Sequence, residues 1–191
     1  KKKHGNIDVL INNAGIVVGK YFHEHTSEEI EKTMMINANA PMHVTTNFLS
    51  EMIERNSGHI CNIASSASLL ANPKMSIYAA SKWSVFAWSD SLRIEMKQLN
   101  KNIKVTTILP YYINTGMFDG VKSSIPILDA EKTALQIIKA IEKNKKIITI
   151  PWWIYRFTRF GQTIMSVNFF DWFAGKVMGI YKTMDDFKGR K

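Results

Sequence analysis

Short, mostly apolar runs alternate along this chain with longer segments of mixed polarity, and the alternation predicts the architecture. Ile7-Asp-Val-Leu-Ile11, Gly58-His-Ile-Cys-Asn-Ile-Ala-Ser65, Ile103-Lys-Val-Thr-Thr-Ile-Leu109 and the stretch from Lys146 to Ile150 are brief and rich in β-branched residues. Such runs read as buried strands. Between them the pattern predicts helices over 27–55, 76–98 and 129–143. Ser27 followed by Glu28 and Glu29, and Asp129 followed by Glu131, mark two helix starts, because a short polar residue caps free N–H groups and acids complement the positive end of the helix dipole. Pro41 falls inside the first helix. Proline has no N–H, so the bond it would donate to the Asn37 carbonyl cannot form, and the helix is expected to break there with that carbonyl free. Strands alternating with helices imply parallel pairing through crossovers, hence an α/β fold with a doubly wound parallel sheet.

The chemistry gathers at the ends of these strands. In an open α/β sheet, ligands bind beyond the carboxyl ends of the strands. Asn12-Asn13-Ala14-Gly15 follows the first run, Ser65 closes the second, and Pro110 to Thr115 follows the third. Tyr78-Ala-Ala-Ser-Lys82 then sets a phenol and an ammonium at i and i+4 on one helix face. A free phenol ionises near pH ~10, and a cation held close favours the phenolate, bringing a tyrosine nearer the range of a proton-transfer catalyst. A free Asn37 carbonyl beside a polar side chain can hold an ordered water for a proton relay. Each feature alone has a plain structural reading: a solvated surface pair, a strand-end cap, a kink, a tight exit turn. Their combination points to chemistry.

Taken together, Asn12-Asn13-Ala14-Gly15, Asn37, Ser65 and Tyr78-x-x-x-Lys82 resemble the short-chain dehydrogenase/reductase family in order and spacing, from about Asp8 to Thr115. Thr115-Gly-Met-Phe118 and Met184-Asp-Asp-Phe187 look like the branch holding retinol dehydrogenases and 17-beta-hydroxysteroid dehydrogenases. The resemblance implies a Rossmann-like sheet, NAD or NADP as cofactor, and a homodimer or homotetramer. It implies catalytic roles for Tyr78 as acid/base, Ser65 as holder of the substrate oxygen, Lys82 as ribose ligand that lowers the phenol pKa, and Asn37 as holder of the relay water. Cofactor contacts are expected from Asn12, Asn13, Ala14, Gly15, Tyr78, Lys82, Pro110, Ile113 and Thr115, with Asn13 tying neighbouring strands and Ala14 and Gly15 permitting close approach. Tyr111 stands where the family usually has a glycine, so it either narrows the pocket or turns outward. The stripe Trp83, Phe86 and Trp88 reads as packing.

The implied activity is alcohol/ketone or alcohol/aldehyde interconversion on a lipophilic substrate of the retinoid, steroid or fatty alcohol class. Two alternatives stay open: a 3-oxoacyl thioester reductase, and a catalytically silent relative that binds a membrane or a partner. A dinucleotide fold opens with a glycine-rich turn whose helix N-terminus holds the pyrophosphate. Gly15-Ile-Val-Val-Gly19 has the wrong spacing for it. The expectation is therefore an N-terminally truncated fragment that lacks the adenosine half of the cofactor site and binds no dinucleotide tightly by itself.

Composition adds bounds. A length of 191 residues suits one domain, read as residues 1–150 of a Rossmann-like catalytic domain with an aromatic-rich helical tail over 151–191. That tail holds Trp152, Trp153, Phe157, Phe160, Phe169 and Trp172 among other aromatics, interleaved with Arg156, Arg159 and Lys176. It reads as a lid over a lipophilic pocket, as a membrane-interface segment over 152–181, or as core. The net charge of +9, with basic concentrations at Lys1-Lys2-Lys3 and from Lys143 to Lys146, suits anionic cofactors or lipid headgroups, and no nucleic-acid motif accompanies it. Cys61 alone cannot form an internal disulfide and implies a buried thiol in a reducing compartment. His4, His23, His25, His43 and His59 lack metal-ligand spacing, so no metal site is expected. No secretory signal opens the sequence, and the longest apolar candidate, Thr163 to Ile180, is broken by Asp171 and Lys176, short of the ~18 to 20 residues that span a bilayer. The expected location is cytoplasmic, with peripheral membrane contact if the tail is an interface segment.

Overall fold

β-branched residues at the predicted positions pair into one parallel sheet of four strands, β1 (Val9–Asn12), β2 (Gly58–Ile63), β3 (Ile103–Pro110) and β4 (Ile147–Ile150), in the order β1-β2-β3-β4. This is a computed structural model, and it describes residues 5–189, so Lys1-Lys2-Lys3 and His4 lie outside the described residues. The register sets Asn12 beside Asn62 and Thr107 beside Ile147. β2 and β3 are buried along nearly their whole length, as expected for parallel strands covered on both faces.

The connecting helices are α1 (Ser27–Met34), α2 (Ala40–Glu54), α3 (Ser76–Gln98) and α4 (Ala130–Glu142). Their apolar faces sort onto the two sides of the sheet. Met52 of α2 and Leu92 and Met96 of α3 pack with Ile60, Ile103 and Val105. Ala140, Ile137 and Ile141 of α4 pack with Cys61, Ile108 and Ile150 on the other side. Ile60 and Cys61 are neighbours facing opposite layers, because side chains alternate across a strand. The sheet is thus doubly wound.

Two local features differ from the sequence reading. The cap of α1 is Thr26, one residue before Ser27. Thr26 accepts from the Glu29 N–H at 3.2 Å while the Glu29 carboxylate accepts from the Thr26 N–H at 3.1 Å, a reciprocal pair that satisfies two free donors. The helix irregularity starts at Met35 rather than at Pro41. Residues Met35–Asn39 form a widened turn in which the Ala40 N–H bonds the Met35 carbonyl, five residues back. Pro41 lies in the first turn of α2, where a missing N–H is tolerated.

Beyond β4 the chain forms α5 (Trp153–Ile164) and α6 (Val167–Trp172), then a widened turn over Phe173–Val177 and a short turn over Ile180–Lys182. Ile154 of α5 packs with Val85 and Phe86 of α3 and with Leu109 of β3. Phe170, Ala174 and Ile180 pack around Leu70, and Met184 joins Tyr78 and Tyr112. The aromatic tail therefore folds back beside the carboxyl ends of the strands.

Candidate active site

Ser65 follows β2 in extended conformation, and its hydroxyl accepts from the Ala67 N–H at 3.1 Å, capping the short turn Ser66–Ser68. Tyr78 lies in the first turn of α3 and Lys82 one turn later, and both are buried. Burial pushes the Tyr78 phenol up to about 12, Tyr112 adds to that, and the hydrogen bond with Ser65 opposes it. Burial also brings the Lys82 ammonium down to about 8. Its Nζ donates to the Ile63 carbonyl at 2.9 Å and lies 5.9 Å from the centre of the Tyr78 ring. The expected lowering of the phenol pKa by Lys82 is therefore reversed in this structure. Loss of water around the buried phenol outweighs a cation whose hydrogen bond is given to a backbone carbonyl.

The side-chain amides of Asn37 and Asn12 both bond protein partners, and for Asn12 this departs from expectation. The Asn37 Oδ1 accepts from the Ile16 N–H at 2.8 Å, while its Nδ2 donates to the Ile16 carbonyl at 2.9 Å and to Ser81 Oγ at 3.0 Å. Ser81 Oγ in turn donates to the Tyr78 carbonyl at 2.7 Å. Both amide hydrogens of Asn37 are committed, so its side chain anchors the β1-exit loop to α3, while the relay-water expectation concerns its backbone carbonyl, a separate group. Asn12 Nδ2 donates to Thr45 Oγ1 at 3.0 Å and to Asn62 Oδ1 at 2.8 Å, and the Asn62 amide continues to Ser89 Oγ at 2.9 Å. Asn12 does not line the cavity. It, rather than Asn13, ties the strands together.

The remaining expected residues converge. Asn13, Ala14, Gly15, Ser65, Tyr78, Lys82, Pro110, Ile113 and Thr115 all line one cavity of about 390 Å³ beyond the carboxyl ends of β1, β2 and β3. A Cβ on Gly15 would stand 3.4 Å from both Lys82 Nζ and Asn37 Oδ1, so the bare backbone there leaves room that a side chain would take. Tyr111 turns inward. It lines the cavity, its hydroxyl pairs with Ser123 Oγ at 2.8 Å, and burial pushes its phenol up to about 12.

The far wall is apolar and comes from the tail and the loop before α3, through Leu70, Trp153, Phe157, Phe170, Phe173 and Met178. Sequence reasoning missed Phe118, whose ring stands edge-on to Tyr78 at 5.8 Å and to Tyr112 at 4.9 Å. It also missed Asn72, whose Nδ2 donates to Tyr112 Oη at 3.1 Å and to Thr183 Oγ1 at 2.8 Å, closing the tail against the cavity. No periodic signal marks these loop residues. Ser81 was legible, since it lies inside the Tyr78-to-Lys82 spacing.

The aromatic stripe of α3 stays outside the cavity. Phe86 joins the core, Trp88 packs beside α2 and β2, and half-exposed Trp83 has the Arg159 guanidinium 5.8 Å from its ring. Burial pushes the Cys61 thiol up to about 12, which makes it inert. Among the described residues no group of His, Cys, Asp and Glu is arranged to hold a metal.

A doubly wound parallel sheet with a cavity beyond its carboxyl edge defines a Rossmann-like α/β protein. The chain belongs to the short chain dehydrogenase family, whose model matches residues 1–125. It is 38% identical to retinol dehydrogenase 10-B of Danio rerio over 171 residues, 86% of this chain and 51% of that protein. A solved structure of a short chain dehydrogenase/reductase from Burkholderia phymatum in complex with NAD shares the fold, with a TM-score of 0.74 and 21% identity over 85% of this chain and 67% of that one. The closed form of a serine dehydrogenase complexed with NADP+ is 33% identical over 57% of this chain and 44% of that one, with a TM-score of 0.55. The chain spans about half the length of the curated relatives it matches.

Proposed function

We propose that this chain carries the catalytic part of an NAD- or NADP-dependent oxidoreductase that interconverts an alcohol with a ketone or aldehyde on a lipophilic substrate of the retinoid, steroid or fatty alcohol class. One observation carries the reading: a single cavity joins the hydroxyls of Ser65 and Tyr78 to an apolar wall of Leu70, Phe157, Phe170 and Phe173. A polar head and a greasy body suit an alcohol on a large apolar skeleton. The retinol dehydrogenase relative agrees with that class.

The residues present fit a nicotinamide. Asn13 to Gly15 offer exposed backbone at the end of β1, and Pro110, Ile113 and Thr115 offer a second edge after β3. In this reading they hold the cofactor together with Lys82, and the bound nicotinamide supplies or accepts the hydride. The solved relatives complexed with NADP+ and with NAD support this cofactor class.

Tyr78, neutral at physiological pH, donates its proton to the oxygen of a carbonyl being reduced and recovers it from the alcohol in the reverse direction. The Ser65 hydroxyl donates to the same oxygen. Lys82 places positive charge near the phenol as negative charge develops, with the rings of Phe118 and Tyr112 beside it. The reading includes self-association as a homodimer or homotetramer, supported by the exposed Val44 on α2 and by Trp83 and Ile94 on α3. It also includes peripheral membrane contact through 152–181.

The test is nicotinamide-coupled turnover of the intact protein on retinol, a steroid alcohol, a long-chain alcohol and ethanol. Turnover that favours the lipophilic alcohols and falls at least ~100-fold in Tyr78→Phe is expected. Wild-type turnover in Tyr78→Phe, or no nicotinamide-coupled turnover of any alcohol, overturns the reading.

A further inference from the structure

We propose that Asn72 selects the substrate: its Oδ1 accepts a hydrogen bond from a second hydroxyl group on the lipophilic alcohol, away from the carbon that reacts. The inference deepens the reading above and rests on it for the kind of ligand that the cavity takes.

Asn72 lies on the loop between the turn Ser66–Ser68 and α3. It lines the same cavity as Ser65 and Tyr78, near the apolar side chains of Leu70, Met75, Met178 and Ile180. An amide there needs partners for two hydrogens and one oxygen. The hydrogens have them. Nδ2 donates to Tyr112 Oη at 3.1 Å and to Thr183 Oγ1 at 2.8 Å. The oxygen is buried and has no partner among the described residues.

The hydroxyls around the amide fix which way it faces. Thr183 Oγ1 gives its proton to the Ile180 carbonyl at 2.9 Å, so toward Asn72 it accepts. Tyr112 Oη stands 3.1 Å from Thr183 Oγ1 and 3.4 Å from Met75 Sδ, two acceptors for its own proton. Turning the amide over would set its oxygen against Thr183 and leave two N–H groups unpaired in place of one oxygen. The Nδ2 arm is therefore held against the tail, and the Oδ1 arm is what the residue keeps for the cavity.

A buried acceptor without a protein partner is uncommon in a folded chain and marks a place where another molecule donates. The charges along the cavity narrow the donor. Lys82 lines it and no carboxylate does. An ammonium would enter uncompensated beside a cation, whereas a neutral hydroxyl satisfies the oxygen without bringing charge. The substrate this geometry fits has one hydroxyl or carbonyl at Ser65 and Tyr78, a hydrocarbon body against the apolar wall, and a second hydroxyl at Asn72. A water is the alternative occupant, and the test separates the two.

The test uses the intact protein and straight-chain α,ω-diols of increasing length, each beside the monoalcohol and the mono-methyl ether of the same length. Binding is read by calorimetry and kcat/KM by nicotinamide-coupled turnover. At the length that spans from Tyr78 to Asn72, the diol should bind at least ~10-fold more tightly than its methyl ether, which can accept there but not donate. Transfer from water favours the ether, so the preference has to come from the site. Asn72→Leu should lower the ratio of diol to monoalcohol affinity, and of their kcat/KM values, at least ~10-fold. Any loss that both ligands share through a disturbed loop cancels in that ratio. An unchanged ratio in Asn72→Leu overturns the proposal, because the oxygen is then served by water. So does a methyl ether that binds as well as its diol at every length, a comparison that needs no variant. Turnover of monoalcohols beside an unchanged ratio sinks the anchor alone. A ratio that falls in binding, with no turnover of any alcohol, upholds the anchor and sinks the oxidoreductase reading.

Discussion

Lys82 and Tyr78 are buried one helical turn apart, with the ammonium 5.9 Å from the phenol ring and hydrogen-bonded at 2.9 Å to the Ile63 carbonyl at the end of β2. Each group is held away from its ordinary pKa by the loss of water, the phenol upward and the ammonium downward. Both shifts favour the neutral forms, and their consequences for stability run in opposite directions with pH.

Between about 8 and 10.5 the unfolded chain keeps the Lys82 proton and the folded chain has released it, so folding gains as pH rises through this window. Cys61 and Tyr78 are pushed up to about 12 from 9.0 and 10.0, keep their protons longer when folded, and oppose the gain at higher pH. The net rise is therefore confined to roughly pH 8 to 9, at about 1 kcal/mol. Urea unfolding across that range measures it. Lys82→Met should lack the rise, and the same rise in that variant would show that another group causes it.

Asn37→Ala should destabilise the chain by about 3 kcal/mol, because it leaves the Ile16 N–H and carbonyl and the Ser81 hydroxyl without their partner in a buried site. The denaturant midpoint reports this. A change below about 1 kcal/mol would mean that the loop after β1 is held by other contacts.

Asn12 and Asn13 are adjacent, yet their substitution should divide cleanly between stability and binding. Asn12→Ala breaks the polar ladder through Thr45, Asn62 and Ser89, and should cost about 2 kcal/mol of stability. Asn13→Ala should leave the unfolding midpoint in place, and in the intact protein it should weaken nicotinamide nucleotide binding. Calorimetric titration paired with unfolding curves tests the division, and the reverse pattern would restore Asn12 to the cofactor site.

Tyr111→Phe removes the bond to Ser123, whose hydroxyl also accepts from the Ile125 N–H at 3.0 Å. It should cost about 1 kcal/mol and loosen the loop that carries Met117 and Phe118 over the cavity. The expected kinetic signature in the intact protein is a higher KM with little change in kcat. Tyr111→Gly should in addition admit bulkier alcohols. An unchanged KM in both variants would make the inward ring irrelevant to substrate fit.

Local periodicity alone determined the order of strands and helices, the parallel sheet, the polar strand ends, and the shared helix face of Tyr78 and Lys82. These follow from rules reaching only a few residues along the chain: the two-residue repeat of a strand, the three-to-four-residue repeat of a helix, the missing N–H of proline. What no local rule contains was decided by residues distant in sequence. Asn12 rather than Asn13 became the strand tie because Thr45 and Asn62 arrive beside it. The Asn37 amide was filled by Ile16 and Ser81, some 21 and 44 positions away. The phenol moved up rather than down because enclosure by Tyr112, Phe118 and Met184 removes water, and desolvation depends on what the whole chain packs around a group. The aromatic tail became a cavity wall on one side and an exposed face on the other for the same reason: composition records which side chains are apolar, and only tertiary packing sets which of them are covered.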